Sequence, residues 1–403
     1  MACWNYNNVG CGAVQPVVRL DDDGNNQGLF CVKVLQLNDC ESGGGAEIVF
    51  QKTSSLLGED ASQIQLRKSC PYDGILCGLV NGFGLINLLY ALQVTVLICF
   101  WRPDIVHIHN FSSRISFLPL VFMRGLKVIF RFSIIHTAHD FHLVCPNTGL
   151  LRYTDQGGYR ACTSCADSGQ WLNVVWKNCD RRGRIYSWLR YVRHKVSYDW
   201  LHIHKLFDCI VCPSEALRSA IRLRFPYVKT QLLRNPSFIA SEALHSQTKN
   251  TTQEKTLAYF GRLQPEKGVA QYLAERYNRA VYPRFLIYGD GEEEGRIRTI
   301  IQELKLTGHV FLMGKIPQIE VGAAIQAIDA VAVPSLCQEN CPLVVCDALK
   351  LGKIVVSESR GGVSELLEQV RRGNTEFLNQ SNYVKNIESI YREVHENNKL
   401  GIV

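Results

Sequence analysis

Along this chain, short apolar runs end in polar or glycine-rich turns and are followed by longer stretches with helical spacing. The first run is Cys31-Val32-Lys33-Val34-Leu35-Gln36-Leu37, which leads through Ser42-Gly43-Gly44-Gly45 into Ala46-Glu47-Ile48-Val49-Phe50. Asp104-Ile105-Val106-His107-Ile108-His109-Asn110 repeats the pattern. Lys127-Val128-Ile129-Phe130 with Ser133-Ile134-Ile135-His136-Thr137-Ala138-His139-Asp140 gives another strand-like run, and Cys209-Ile210-Val211-Cys212-Pro213-Ser214 a further one. Short buried strands alternating with helices predict a parallel sheet, with ligands beyond the carboxyl ends of its strands.

After Asn235-Pro236 the chain turns polar over 241–255, and a second series follows, with strands expected over 256–260, 284–288, 309–312, 330–333 and 354–357. The expectation is an α/β protein of two Rossmann-like parallel-sheet domains facing a central cleft. A polar leader (1–28) precedes an N-terminal domain (29–240), a C-terminal domain (241–385) and a helical tail (386–403). A length of 403 residues suits two cores better than one. The apolar stretch 75–100 is broken by Asn81, Gly82, Gly84, Asn87 and Gln93 and closed by Arg102-Pro103-Asp104. It reads as a buried helix running toward a strand, rather than a membrane span.

Composition changes this picture little. With 46% hydrophobic and 20% charged residues the chain is of soluble globular type. A net charge of +7 suits anionic small ligands or an acidic membrane face and falls short of a nucleic-acid partner. The start, Met1-Ala2-Cys3-Trp4-Asn5-Tyr6-Asn7-Asn8, lacks the basic and apolar regions of a signal peptide. The sixteen scattered cysteines are therefore expected to be mostly small buried hydrophobes in a reducing cytoplasm.

Two loops carry the candidate chemistry. In Gly261-Arg262-Leu263-Gln264-Pro265-Glu266-Lys267-Gly268, two cations five residues apart lead into a helix. A guanidinium fork, a mobile ammonium and backbone N–H groups there suit a diphosphate whose charge grows as it departs. Two surface cations on an exposed loop is the plainer reading. In the second loop, Glu339 follows a buried strand, Pro342 suits a helix first turn, and Asp347 falls within that helix. A carboxylate at a helix mouth accepts hydrogen bonds from vicinal hydroxyls; the alternative is a simple helix cap.

Taken together and in order, these motifs resemble retaining glycosyltransferase family 4, of GT-B fold. The series is Gly261-Arg262-Leu263 with Lys267-Gly268, Tyr288-Gly289-Asp290-Gly291, Gly314-Lys315-Ile316, Glu339 to Asp347, and Gly361-Gly362-Val363-Ser364-Glu365. The glycines Gly43, Gly44 and Gly45, the 102–109 run and Thr137-Ala138-His139-Asp140 are similar too, so the resemblance covers about 31–370. It implies that Arg262 and Lys267 hold the donor diphosphate and that Glu339 binds sugar hydroxyls. It implies that Asp347 meets the ribose, backbone near Ile316 meets the base, and Leu343 belongs to the donor site. Gly43, Gly44 and Gly45 let backbone approach the phosphate, and His139 lies by the reacting sugar. His139, Arg262, Lys267 and Glu339 thus form the implied catalytic set. The family has glutamate where this chain has Asp347, an arm shorter by one methylene.

The resemblance further implies a polysaccharide-forming enzyme that takes a nucleotide-diphosphate sugar, transfers it with retention to a glycan or lipid-linked acceptor, and needs no catalytic cofactor. Nucleotide-sugar epimerases share this architecture, and a non-catalytic nucleotide-sugar-binding subunit is a second alternative.

Two segments stay open. Cys145, Cys162, Cys165 and Cys179 bracket an insertion, and Cys162-Thr163-Ser164-Cys165 has the gap of a zinc knuckle, so a structural four-thiolate zinc stands beside a set of unlinked thiols. Over 181–195, helical spacing aligns Ile185, Trp188, Val192 and Val196 beside many cations. That helix either lies on an anionic membrane surface or packs on the core with a solvated basic face.

Overall fold

A computed structural model describes residues 18–20, 30–38, 44–57, 62–65, 88–111, 117–154, 158–239, 254–358 and 360–401. Gly43, most of the leader, residues 75–87 and the 241–253 connection lie outside the described residues. A two-stranded antiparallel ribbon, β1 (Val18–Leu20) with β2 (Phe30–Val32), leads into the first sheet. That sheet holds β3 (Val34–Asn38), β4 (Ser62–Gln65), β5 (Ile105–Ile108) and β6 (Ser133–Thr137). A short antiparallel hairpin, β7 (Leu151–Tyr153) and β8 (Tyr159–Ala161), interrupts the series before β9 (Cys209–Cys212) and β10 (Thr230–Leu232) complete it. The order is β10-β9-β6-β5-β3-β4, every pairing parallel.

The second sheet is built from β11 (Thr256–Phe260), β12 (Arg284–Tyr288), β13 (Val310–Gly314), β14 (Ala330–Val333) and β15 (Ile354–Ser357). Its order is β13-β12-β11-β14-β15, again all parallel. Strands buried on both faces explain the near-continuous apolar runs in the sequence. Each sheet carries helices on both sides and its own core. Leu35, Val106, Ile134 and Ile210 fill one face of the first sheet, and Leu257, Phe285 and Ile287 one face of the second.

One strand-like run proves helical. Lys127-Val128-Ile129-Phe130 is the last turn of the helix Leu118–Phe130, which a left-handed Arg131 (φ +53°) closes. That helix buries Leu120 and Met123 while Val128 and Ile129 stand exposed, so its branched residues answer to solvent and not to a sheet. Of the apolar stretch 75–100, the described part forms the helix Leu88–Trp101, ahead of β5, with Tyr90, Val94 and Ile98 buried. Among the described residues no helix is long and apolar enough to cross a membrane.

The final helix, Gln380–Lys399, returns to the first sheet. Its Tyr383, Ile387, Ile390, Tyr391 and Val394 share one buried cluster with Val34, Ile105, Ile135, Val211 and Leu233. Residues at the end of the chain thus close a core opened near its start.

Candidate functional site

The loop after β11 and the loop after β14 meet. Lys267 sits in a short 3₁₀ turn, Pro265–Lys267, ended by Gly268 at φ +69°. Its Nζ lies 2.6 Å from Glu339 Oε1, and both side chains are about four-fifths covered, at 22% and 19% exposure. Ser335 Oγ donates to the same oxygen at 2.7 Å, and Cys337 Sγ lies 3.7 Å from it. Burial pushes the Glu339 carboxyl up. The Lys267 ammonium and these two donors outweigh it, so the group is held below its ordinary range. Burial likewise opposes the Lys267 charge, and the Glu339 carboxylate overcomes it and raises that ammonium above normal. The pair is thus locked in its charged form. Cys337, buried beside the carboxylate, is pushed up to about 12 and stays a thiol.

Arg262 stands differently. Its side chain is exposed, makes no ion pair with a described residue, and its carbonyl accepts the Tyr259 hydroxyl at 2.8 Å. The loop is held from behind by 289–291: Gly261 N–H donates to the Tyr288 carbonyl (3.0 Å) and Leu263 N–H to the Asp290 carbonyl (2.7 Å). Gly289 has φ +144°, and a β-carbon there would lie 1.8 Å from the Gly261 carbonyl oxygen. Gly289 and Gly291 therefore serve as the close-packed back wall of the basic loop.

The carboxylate loop is gripped in the same way. Gly362 N–H donates to the Glu339 carbonyl at 2.8 Å, and a β-carbon on Gly362 would fall 1.4 Å from the Asn340 carbonyl oxygen. Leu343 begins the helix Leu343–Lys350, and its Cδ1 lies 4.0 Å from where a Gly45 β-carbon would stand. Gly45 itself opens the helix Gly45–Leu56 behind Gly44, which has no side-chain cap. Two helix N-termini, one from each domain, therefore converge here, and both bring a positive dipole end to the cleft. Ile316, partly buried after β13, packs at the edge of the second core.

His139 follows β6 on the opposite side. Its Nε2 lies 3.1 Å from His109 Nδ1, and the two rings stack at 5.3 Å. His107 lies beneath, 4.3 Å from His109 between centroids, fixed by Tyr391 OH and Thr137 Oγ1 at 2.7 Å each. Burial draws His139 down to about 4, with His142 adding to it and Asp140 opposing; it is a neutral imidazole at pH 7. His107, at about 3, is neutral for the same reason of burial.

Asp347 lies within the helix Leu343–Lys350. It is 3% exposed and its Oδ1 accepts the Ser237 hydroxyl at 2.7 Å, so its carboxylate anchors the segment leaving the first domain. Burial, against the Ser237 and Phe238 hydrogen bonds, pushes it up to about 6.

The four cysteines of the insertion lie near one another. Cys145, Cys165 and Cys179 are buried and Cys162 is half-buried, all close enough to perturb one another. Yet among the described residues no three histidine, cysteine, aspartate or glutamate side chains are arranged to hold a metal ion. Burial raises Cys145 to about 11 and Cys179 to about 12. In the helix Arg184–His194 the buried residues are Ser187 and His194, whereas Ile185 and Trp188 are 76% and 52% exposed. The core-facing reading of that stripe fails at its first two positions.

Two residues that the sequence reading quoted only as parts of longer motifs, without a role, join the domains. Asn340 Nδ2 donates to the His139 carbonyl at 2.8 Å. Glu365 accepts the Glu215 and Ala216 N–H groups at 2.7 Å each. Their signal was adjacency to Glu339 and to the Gly361-Gly362 turn, which no spacing rule converts into a contact.

Two parallel-sheet domains with their strand ends at a shared cleft define the GT-B fold. Residues 240–401 match the family model for glycosyl transferases group 1, and the second domain is a domain of that kind. Over 307 residues the chain is 26% identical to an uncharacterized 42.6 kDa protein in the cps region of Klebsiella pneumoniae, covering 75% of this chain and 69% of that one. It is 25% identical over 193 residues to the lipopolysaccharide 1,2-N-acetylglucosaminetransferase of Salmonella typhimurium, 41% of this chain and 50% of the other. Among solved structures, Anabaena Alr3699/HepE in complex with UDP and glucose superposes with a TM-score of 0.52 at 15% identity, covering 91% and 95% of the two chains.

Proposed function

We propose that this protein transfers a hexose-type sugar from a nucleoside diphosphate to a glycan or lipid-linked acceptor, with retention of anomeric configuration, in surface-polysaccharide synthesis. The observation that carries the reading is the Lys267–Glu339 pair, charged, four-fifths covered and set in a glycosyl transferases group 1 domain. Arg262 and Lys267 neutralise the departing diphosphate, helped by the converging helix N-termini at Gly44, Gly45 and Leu343. Glu339 orients the sugar hydroxyls, Ile316 backbone borders the base, and neutral His139 meets the sugar from the other domain. The acceptor hydroxyl attacks the anomeric carbon on the face that the diphosphate leaves, and its proton passes to a phosphate oxygen as the C–O bond to phosphate breaks.

The cps-region relative supports the polysaccharide setting, and the neighbour bound to UDP and glucose supports a nucleotide-sugar donor. Exposed Trp176, Ile185 and Trp188 beside Arg184 suit contact with an anionic membrane carrying the acceptor. The test is binding and turnover of a panel of labelled nucleotide sugars by wild type, Arg262→Ala and Glu339→Ala. Undiminished turnover in both variants overturns the reading. Donor binding with neither transfer nor hydrolysis by wild type favours the binding-subunit alternative, toward which the inward turn of Asp347 leans.

A further inference from the structure

We propose that Asn340 is a positioning residue, which holds the His139 loop of the first domain at a fixed distance from the Glu339 loop of the second. The role rests on the sugar-transfer reading above.

The argument is one of donors and acceptors. Ser214 caps the helix Glu215–Arg224, and its oxygen accepts the Leu217 N–H at 3.2 Å. Its hydroxyl proton is therefore free to be given elsewhere, and Asn340 Oδ1 lies 3.1 Å away. The His139 carbonyl can only accept, so the Asn340 NH₂ must face it and the Asn340 oxygen is left to take the Ser214 proton. The bond from Asn340 Nδ2 to that carbonyl is 2.8 Å long. Leu217 N–H, Ser214 O–H, Asn340 amide and His139 C=O form a chain in which each step admits one direction.

The same helix end is closed by the second domain at another point. Of its first N–H groups, Glu215 and Ala216 donate to the two oxygens of Glu365, Leu217 to the Ser214 side chain and Arg218 to the Ser214 carbonyl. The Arg218 bond is the first within the helix, and a helix normally leaves the three donors before it to a cap or to water. Here the far domain supplies acceptors for two of those three, and Arg234 stands 3.5 Å from the Glu365 carboxylate. The helix end is thus a docking point, with Asn340 beside it joining His139 to the residue next to Glu339. Behind Asn340, the Gly362 turn fixes the backbone from which it reaches. The donor-binding cations sit on the second domain and do not touch this chain of bonds.

The test separates positioning from binding. Asn340→Asp keeps size but sets an oxygen against the His139 carbonyl, and Asn340→Ala removes both bonds; thermal unfolding checks that each variant is folded. Labelled UDP-glucose, UDP-galactose, UDP-N-acetylglucosamine and GDP-mannose are titrated, and transfer and donor hydrolysis are followed. Both variants are expected to bind the donor within about twofold of wild type while turnover falls about tenfold or more, since misplacement of reacting groups is read in kcat. Wild-type turnover in both variants overturns the proposal, as does a parallel loss of binding and turnover. Wild type that binds none of the four sugars overturns the sugar-transfer reading itself, an outcome seen without any variant.

Discussion

Lys267 and Glu339, seventy-two residues apart in sequence, make a 2.6 Å ion pair that keeps both groups charged in a site four-fifths closed to water. Neither loop holds this geometry alone, and each charge makes the burial of the other tolerable.

Removing one partner is therefore expected to harm more than removing a surface charge. Lys267→Ala leaves the carboxylate buried with only the Ser335 and Cys337 donors, and turnover should fall about 10²–10³-fold. Glu339 is depressed when folded, so its contribution to stability is present at neutral pH and fades as pH falls through its folded value. Glu339→Gln should flatten that acid limb, followed by thermal unfolding between pH 3 and 7.

Asp347 predicts the opposite slope. Its pKa, raised to about 6, means that the folded state holds the proton better than the unfolded chain does. Stability from this group is therefore greatest below pH 4 and is lost as pH rises through 6. Asp347→Asn should be more stable than wild type at pH 8, by about 1–3 kcal/mol, with the gap closing below about pH 4. Asp347→Glu places a further methylene in a buried site against Ser237, at a cost of about 1–3 kcal/mol. Denaturant titration at two pH values checks both.

Gly362 and Gly295 make a paired test of local sterics. Alanine at Gly362 would drive its β-carbon into the Asn340 carbonyl and displace the Glu339 loop, with loss of donor binding. Alanine at Gly295 meets nothing within 4 Å and lies in the helix Glu294–Glu303, so it should stabilise by about 0.5–1 kcal/mol. Thermal shift with and without donor separates the two effects.

Tyr391→Phe keeps the ring and removes one hydroxyl. His107 then loses its 2.7 Å partner in a fully buried site, at an expected cost of about 1–3 kcal/mol. Because His107 supports His109, which holds His139, the variant should also lower kcat more than it raises KM.

Fold and candidate site were legible to different degrees. The alternation of apolar runs and helical stretches is a local property, and both parallel sheets follow from it. The Lys127–Phe130 turn misled because branched apolar residues usually mark strands, whereas here they sit on an exposed helix face. Placement of Arg262, Lys267 and Glu339 on loops after strands came from motif order. That Glu339 takes Lys267 as partner, that Asp347 turns to Ser237 and that Asn340 reaches His139 are tertiary facts, set by distances between loops that no spacing encodes. The cysteine spacing similarly named a pattern, while the positions of the sulfurs depend on how a hairpin and two short helices pack.

The return of the Gln380–Lys399 helix gives the chain an order of assembly. Until that helix is made, Val34, Ile105, Ile135 and Val211 on one face of the first sheet lack the cover of Tyr383, Ile387, Tyr391 and Val394, so a nascent chain keeps part of an apolar flank open through synthesis of the whole second domain. The first domain is consequently not a separable half: a fragment ending near residue 240 lacks one wall of its own core. Supplying the terminal helix as a separate peptide should restore that fragment's solubility.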